Sequence, residues 1–221
     1  MKVPVIRNIL EANDRIAAEN RALLDKDNVF CFNLMSSPGA GKTTLLERTI
    51  ESLASKINIG VIEGDITSNE DARRIAKKGV KAVQINTDGA CHLDGSMIRT
   101  AMDQFDLASL DLLIVENVGN LVCPAEFNVG EHMKIMILSV AEGDDKPLKY
   151  PVMFRECSAL LINKIDLLPY TECSVDKIRK RSLKINPKLT IFEVSARTGE
   201  GIEAWTKWLK ARVTRRKRHE A

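Results

Sequence analysis

The sequence predicts an α/β fold with a mostly parallel β-sheet that is covered by helices on both faces. Apolar runs and helical patterns alternate along the 221 residues. This alternation is typical of parallel strands that are buried on both sides. A glycine-rich turn at residues 36–44 also joins a buried strand to a helix. The length suits one domain with short appendages.

The elements can be assigned in order along the chain. An amphipathic helix is expected over residues 1–28, packed on its own sheet or on a second subunit, before an α/β domain at residues 29–213. The predicted strands are 29–35, 57–65, 80–86, 111–117, 134–141, 159–164 and 189–196. One predicted helix begins at Lys42, and three more are predicted at 69–78, 93–105 and 201–212. A basic tail is expected at 214–221.

The overall composition excludes several classes of protein. The 33 basic and 30 acidic residues give a net charge of +3, so the charge favours neither nucleic acid nor an anionic membrane as a partner. The apolar runs are too short to cross a bilayer and no signal-peptide pattern begins the chain, so we expect a cytoplasmic protein. The five cysteines are then interpreted as buried thiols, with a metal or redox group as an addition.

Residues 36–44, SSPGAGKTT, match the phosphate-binding loop G-x-x-x-x-G-K-[ST], with Ser36 in place of the first glycine. In this motif backbone N–H groups surround the phosphates, the lysine reaches their outer oxygens and the hydroxyl binds Mg²⁺. A predicted strand and helix flank the loop as the motif requires, which indicates a nucleotide-binding P-loop NTPase. The residues expected to contact the phosphates are Gly39, Ala40, Gly41, Lys42, Thr43 and Thr44.

The segment NKID, residues 163–166, indicates guanine as the base. A carboxylate at Asp166 can accept from the ring N–H and the exocyclic amine of guanine together, whereas adenine offers no such pair of donors. The segment resembles the base-reading motif of GTPases, and VSARTG matches the loop whose backbone supports the guanine oxygen. The residues expected at the base are Asn163, Lys164, Asp166, Ser195 and Ala196.

Two acidic residues at predicted strand ends are candidates for holding Mg²⁺ together with Thr43. Asp65 closes VIEGD and Glu116 closes LLIVE, and Mg²⁺ prefers such oxygen ligands. Glu116 and Gly119 form E-x-x-G, in place of the commoner aspartate version of the switch that senses the γ-phosphate. We expect Lys42, Asp65 and Glu116 to act in hydrolysis; solvated strand-end acids are the alternative.

A second candidate site contains sulfur and nitrogen ligands. Cys91 and His92 are adjacent in a glycine-flanked loop, and Cys123 follows Gly119 closely, whereas Cys31 lies inside a predicted strand. Thiolate and imidazole suit Zn²⁺ and Ni²⁺. Spacing alone leaves open the alternative of two half-buried thiols and a loop histidine. Three ligands leave a tetrahedral site incomplete, and a second copy of the chain could complete it.

The segments SSPGAGKTT, GACHLDGSM, ENVGNLVCPAEF, NKIDLLPY and VSARTGEGI together closely resemble the HypB family of hydrogenase nickel-incorporation GTPases. The resemblance covers residues 29–208. It implies a SIMIBI-type G domain that forms a GTP-dependent homodimer and holds Ni²⁺ or Zn²⁺ between its subunits. It also implies that Cys91, His92 and Cys123 are the metal ligands. The implied partners are the HypA zinc protein and, indirectly, the large subunit of [NiFe]-hydrogenase.

The resulting expectation is a GTPase metallochaperone with slow turnover. No glutamine follows Gly119 to position a water, so unassisted hydrolysis is expected at roughly 10⁻⁴ to 10⁻² per second. One alternative is a urease accessory GTPase, a relative expected to carry a Cys-Pro-His motif where this chain has Cys91 and His92. A second alternative is a P-loop phosphotransferase, but the NKID segment argues against it. A third alternative is a metal-binding module in which the nucleotide only stabilises the fold.

Overall fold

The computed structural model describes residues 7–66 and 69–218, and within them the strands form one parallel sheet. The strands are β1 (Phe30–Ser36), β2 (Ile59–Asp65), β3 (Lys81–Asn86), β4 (Leu112–Glu116), β5 (Met133–Ser139), β6 (Ala159–Asn163) and β7 (Thr190–Glu193). Their order across the sheet is β3-β2-β4-β1-β5-β6-β7, and every pairing between the described strands is parallel. This arrangement confirms the predicted mostly parallel sheet.

The seventh strand is shorter than predicted. It ends at Glu193 rather than at residue 196, because the chain turns there: the Ser195 N–H donates to the Glu200 carbonyl at 2.9 Å instead of to a neighbouring strand. The turn places Ser195 and Ala196 in a loop beyond the carboxyl edge of the sheet. Ligands of open α/β sheets bind at this edge.

Helices connect the strands and cover the sheet. They are α1 (Arg7–Lys26), α2 (Lys42–Leu53), α3 (Glu70–Ala76), α4 (Gly95–Met102), α5 (Cys123–Glu126), α6 (Lys146–Lys149), α7 (Pro151–Glu156), α8 (Val175–Ile185) and α9 (Ile202–Arg218). Short 3₁₀ segments occupy 107–109, 140–142 and 165–170. Among the described helices, none combines the length and the apolar character that a membrane span needs.

Several helix boundaries differ from the sequence expectation, and the structure explains two of them. Helix α4 begins at Gly95 because the Asp94 side chain caps it, accepting from the Met97 N–H at 2.8 Å. Helix α9 continues to Arg218, through most of the predicted basic tail, since Val213 is still buried against the core. Residues 219–221 of that tail, and residues 1–6 of the predicted first helix, lie outside the described residues.

The core lies on both faces of the sheet, as the sequence predicts. Alternate residues of β1 point to opposite sides: Phe32 and Leu34 pack with α2 and α9, whereas Cys31 packs with α1 and α4. Further along the same side as Cys31, Met35 packs with α7 and α8. Cys31 is the core residue that its strand position indicates, and burial raises the pKa of its thiol far above the usual range.

Helix α1 packs on its own domain, which answers the question that the sequence left open. The buried Asn20 amide donates to the carbonyls of Gly95 at 2.7 Å and Val129 at 3.1 Å. Asn13 accepts from the Gly95 N–H at 2.8 Å and donates to the Asn128 carbonyl at 2.8 Å. The helix thereby contacts both the start of α4, just after His92, and the loop that follows α5.

Candidate functional site

The phosphate-binding loop lies between the end of β1 and the start of α2. Gly39 and Gly41 have φ angles of +72° and +100°, which favour glycine. A Cβ on Gly41 would also lie 2.6 Å from Asn163 Nδ2, so a side chain has no room there. Lys42 Nζ donates to Ser36 Oγ at 3.2 Å. Ser36, which replaces the usual first glycine, therefore supports the lysine from the end of the strand.

Three carboxylates converge below this loop. Glu63 of β2 and Glu116 of β4 are paired in register at the carboxyl ends of neighbouring strands. Thr43 Oγ1 donates to Glu116 Oε1 at 3.0 Å. Asp71 in the first turn of α3 completes the group, and one oxygen from each carboxylate lies within 4.8 Å of the others. We call Glu63, Asp71 and Glu116 the carboxylate group.

Burial makes two of these carboxylates unusual. Desolvation, followed by repulsion from Glu116, raises the pKa of Glu63 to about 12. Burial raises the pKa of Glu116 as well, and Lys42 and Thr43 oppose that rise. Glu63 Oε1 and Glu116 Oε2 are both buried without a hydrogen-bond partner in the described part of the chain. A shared proton or a cation satisfies such a pair.

The carboxylate group differs from the Mg²⁺ set that the sequence predicted. Thr43 and Glu116 are in contact as expected, but Glu116 is grouped with Glu63 and Asp71 rather than with Asp65. The Asp65 carboxylate accepts from its neighbouring Ile66 N–H at 2.6 Å, although it lines the same cavity. Oxygen donors of this kind fit Mg²⁺.

The NKID segment, residues 163–166 and called the guanine segment below, makes direct hydrogen bonds to the phosphate loop. Asn163 Nδ2 donates to the Ala40 carbonyl at 2.8 Å, and its Oδ1 accepts from the Ala196 N–H at 3.0 Å. Lys164 Nζ donates to the Gly39 carbonyl at 2.7 Å. The structure therefore brings five of the predicted nucleotide contacts into one hydrogen-bonded unit at the carboxyl edge of the sheet.

Asp166 faces the loop that follows β7. Ser195 Oγ donates to Asp166 Oδ1 at 2.6 Å, and the same hydroxyl accepts from the Thr198 N–H at 3.1 Å. These bonds fix the carboxylate relative to the backbone of Ser195 and Ala196. A carboxylate held in this way can present its acceptors to the paired donors of a guanine edge.

Gly119 contacts the phosphate loop itself. A Cβ at this position would lie 3.0 Å from both Cα and N of Pro38, so the segment packs closely on the loop only because residue 119 is glycine. Gly119 also lines the cavity with Lys42 and Glu116. The E-x-x-G segment thus lies directly beside the phosphate loop.

A second cluster contains Cys91, His92 and Cys123, as the sequence predicted. Cys91 Sγ lies 3.0 Å from Cys123 Sγ and 3.5 Å from His92 Nδ1. One ligand atom from each residue lies within 4.8 Å of the others. The His92 ring packs on Phe127 at 3.8 Å between centroids, which limits its rotation. Two sulfurs and one imidazole suit Ni²⁺ or Zn²⁺.

The electrostatics of this cluster also suit a cation. Partial burial lowers the pKa of His92, so the imidazole is neutral near pH 7 and has a lone pair to donate. The hydrogen bond with Cys91 raises the pKa of the Cys123 thiol. A cation would reverse that shift because it stabilises thiolates. Cys157 and Cys173 pack elsewhere, in the apolar layer beside α7 and α8.

Several site residues were not identified from the sequence. Glu63 precedes Asp65 by two positions, so strand periodicity put it on the same face, but only the pairing of β2 with β4 shows that it meets Glu116. Asp71 could have been noted as an acid in the first turn of a predicted helix. Asn13 and Asn20 gave no signal beyond being polar positions in an amphipathic helix.

Comparison with known proteins identifies the family. Residues 30–193 match the model described as CobW/HypB/UreG, nucleotide-binding domain. The hydrogenase maturation factor HypB of Rhizobium leguminosarum bv. viciae is 47% identical over 214 residues, which are 97% of this chain and 72% of that protein.

Two solved structures have the same fold over almost their whole length. The crystal structure of HypB from Helicobacter pylori in complex with nickel gives a TM-score of 0.88 at 41% identity, covering 92% of this chain and 96% of that one. HypB from Archaeoglobus fulgidus gives 0.87 at 39% identity, covering 92% and 100%. The matching fold and the identity over nearly the full chain lead to one assignment: the chain belongs to the HypB family, within the CobW/HypB/UreG group of nucleotide-binding domains.

Proposed function

We propose that this chain is a slow GTPase that uses GTP to control the binding and release of nickel or zinc during [NiFe]-hydrogenase maturation. The names of its relatives as hydrogenase maturation factors support this role, as does the nickel complex of the H. pylori protein. The observation that carries the proposal is the cluster of Cys91, His92 and Cys123 in a chain that also contains a phosphate loop and NKID.

The residues around the phosphate loop would share the work of hydrolysis. Lys42 and the loop amides would neutralise charge on the β- and γ-phosphates, and Asp65 would orient the attacking water. Thr43, Glu116 and the other members of the carboxylate group would hold Mg²⁺. When bound, Mg²⁺ would supply positive charge that offsets the negative charge of the phosphates. Asp166 would select guanine.

A homodimer is part of the proposal. Cys91, His92 and Cys123 supply three ligands, and a second copy of the chain would complete a tetrahedral set. The apolar side chains of Val122, beside Cys123, and Ile66, beside the phosphate cavity, are 55% and 46% exposed. Exposed apolar side chains next to both sites are suited to burial in a dimer.

The proposed partners follow from the family. A HypA-type zinc or nickel protein would exchange metal with this cluster, and the hydrogenase large subunit would be the final recipient. The cytoplasmic location expected from the sequence is part of the same proposal.

Phosphate release by the purified protein tests this function. Saturating GTP should give steady release, on the order of 10⁻⁴ to 10⁻² per second, and ATP should give none. Metal analysis in the same preparations should find one nickel or zinc ion for each complete ligand set. Transfer of the γ-phosphate to an added small molecule would favour a phosphotransferase instead. Metal binding without any phosphate release would reduce the chain to a metal-binding module.

A further inference from the structure

Arg74 of α3 directs its guanidinium toward the phosphate loop. Its Nη2 donates to Thr44 Oγ1 at 3.2 Å. The side chain lines the same cavity as Gly41, Lys42 and Thr43. Arg74 therefore adds a cation to the nucleotide cavity, although it belongs neither to the phosphate loop nor to the guanine segment.

Two carboxylates hold the guanidinium in this position. Glu47 accepts from Nη2 at 2.7 Å and from Nε at 3.4 Å, so it contacts one edge of the planar group through two nitrogens. Asp71 accepts from Nη1 at 3.0 Å on the other side. The Arg74 side chain is 37% exposed, so these ion pairs add little to stability. Their main effect is to orient the guanidinium before a ligand arrives.

Asp71 is shared between Arg74 and the carboxylate group. Its carboxylate bonds to Arg74 and also has an oxygen within 4.8 Å of Glu63 and Glu116. A divalent cation in that group attracts the Asp71 carboxylate and so competes with Arg74 for it. Once Asp71 turns toward the cation, the Nη1 side of the guanidinium becomes available to another anion. Glu47 continues to hold the opposite edge.

We propose that Arg74 binds the α-phosphate of the nucleotide and that a divalent cation promotes this contact by drawing Asp71 away. The inference rests on the proposed GTPase function. Thr44 fixes the position, because it lies in the first turn of α2, where the loop amides face the α- and β-phosphates. The planar fork of arginine pairs well with two phosphate oxygens.

The position of Arg74 sets the kinetic consequence. GDP and GTP share the α-phosphate, so the contact stabilises both complexes and the transition state alike. Binding of that uniform kind lowers KM and leaves kcat unchanged. An arginine at the γ-phosphate would instead act on kcat and would discriminate GTP from GDP.

The test measures the affinities of fluorescent GDP and GTP analogues for the wild type, Arg74→Ala and Arg74→Lys, with Mg²⁺ and with EDTA. Arg74→Ala should weaken both nucleotides about tenfold with Mg²⁺, by loss of a charge-assisted hydrogen bond. In EDTA no divalent cation competes for Asp71, so Asp71 stays paired with Arg74. The loss of nucleotide affinity should then be about threefold or less. The affinities of Arg74→Lys should lie between those of the wild type and those of Arg74→Ala. Arg73→Ala, at an exposed position of the same helix, is the matched control and should bind like the wild type.

The outcomes separate this inference from the function on which it rests. Equal affinities for wild type and Arg74→Ala with Mg²⁺ would overturn the inference while leaving the GTPase in place. A loss confined to GTP, with a lower kcat, would overturn the α-phosphate assignment. If Arg74→Ala melts early, Arg74→Gln keeps a donor toward Glu47 and is tested in its place. A wild-type protein that bound neither analogue would refute the proposed GTPase itself.

Discussion

The Asn20 side chain of α1 donates a 2.7 Å hydrogen bond to the carbonyl of Gly95, a residue distant in sequence. The same amide group reaches the Val129 carbonyl at 3.1 Å. Gly95 follows the Cys91–His92 loop and Val129 follows the Cys123 segment. One buried side chain on α1 therefore fixes the segments that contain Cys91, His92 and Cys123 relative to each other.

Asn20→Ala should destabilise the fold and loosen the cluster of Cys91, His92 and Cys123. The substitution leaves two buried carbonyls without their donor, so the free energy of unfolding should fall by roughly 2–4 kcal/mol. Urea denaturation followed by circular dichroism measures this loss. Glu19→Ala, at an exposed position of the same helix, is the matched control and should change stability by about 0.5 kcal/mol or less. Identical midpoints for the two variants would refute the structural role of Asn20.

Asp166→Asn should change the base preference from guanine to xanthine. The substitution replaces one carboxylate acceptor by a donor, which matches the xanthine edge, while Oδ1 can still accept from Ser195. GTP affinity should fall by about 100-fold or more, and XTP should bind more tightly than GTP. Competition binding with the two nucleotides measures the exchange. Asp176 is an exposed acid in the first turn of α8, and Asp176→Asn, as the control, should keep the preference for GTP. If Asp166→Asn also kept that preference, the base assignment would be contradicted.

Lys42→Ala should abolish hydrolysis without unfolding the protein. Lys42 Nζ bonds to Ser36 Oγ at the cavity rather than to a group in the apolar core, so its loss removes charge stabilisation at the phosphates. Phosphate release at saturating GTP should fall by about 100-fold or more, with an unchanged melting temperature. Lys56→Ala is the control for a general loss of positive charge, because Lys56 is exposed just beyond the end of α2. Unchanged release by Lys42→Ala would remove this lysine from the mechanism.

Much of this architecture could be predicted because its signals are local. Apolar runs specified the strands, and glycine spacing specified the phosphate loop. Adjacency in sequence brought Cys91 and His92 to attention. Helix α8 was not predicted, although Val175, Ile178 and Ile185 recur at helical spacing among its charged residues and pack on the core.

The remaining site residues depend on contacts between distant segments. Glu63 meets Glu116 only because β2 lies beside β4 in the sheet. Arg74 reaches Thr44 only because α3 packs beside α2. Spacing along one chain contains neither fact, since strand order and helix packing are set by the whole fold. For the same reason the sequence singled out Asp65, at the end of its strand, and gave no signal at Glu63.

The two candidate sites are connected by a short stretch of backbone. Gly119 packs against Pro38 of the phosphate loop, and Cys123 follows it at the start of α5. Segments that a γ-phosphate orders relax after hydrolysis. A movement of Gly119 would therefore reach the Cys123 thiol through few residues, and this coupling is the central claim of the proposed function.

Titration of Ni²⁺ into the GDP-bound protein and into the protein bound to a non-hydrolysable GTP analogue tests this claim most directly. The account predicts that the two dissociation constants differ by at least tenfold, which corresponds to about 1.4 kcal/mol, and that Ni²⁺ changes the preference between the nucleotides by the same factor. Cys123→Ala should remove the difference, whereas Cys173→Ala, outside the cluster, should retain it. Equal Ni²⁺ affinities in the two nucleotide states of the wild type would contradict the account and leave the cluster as a structural metal site.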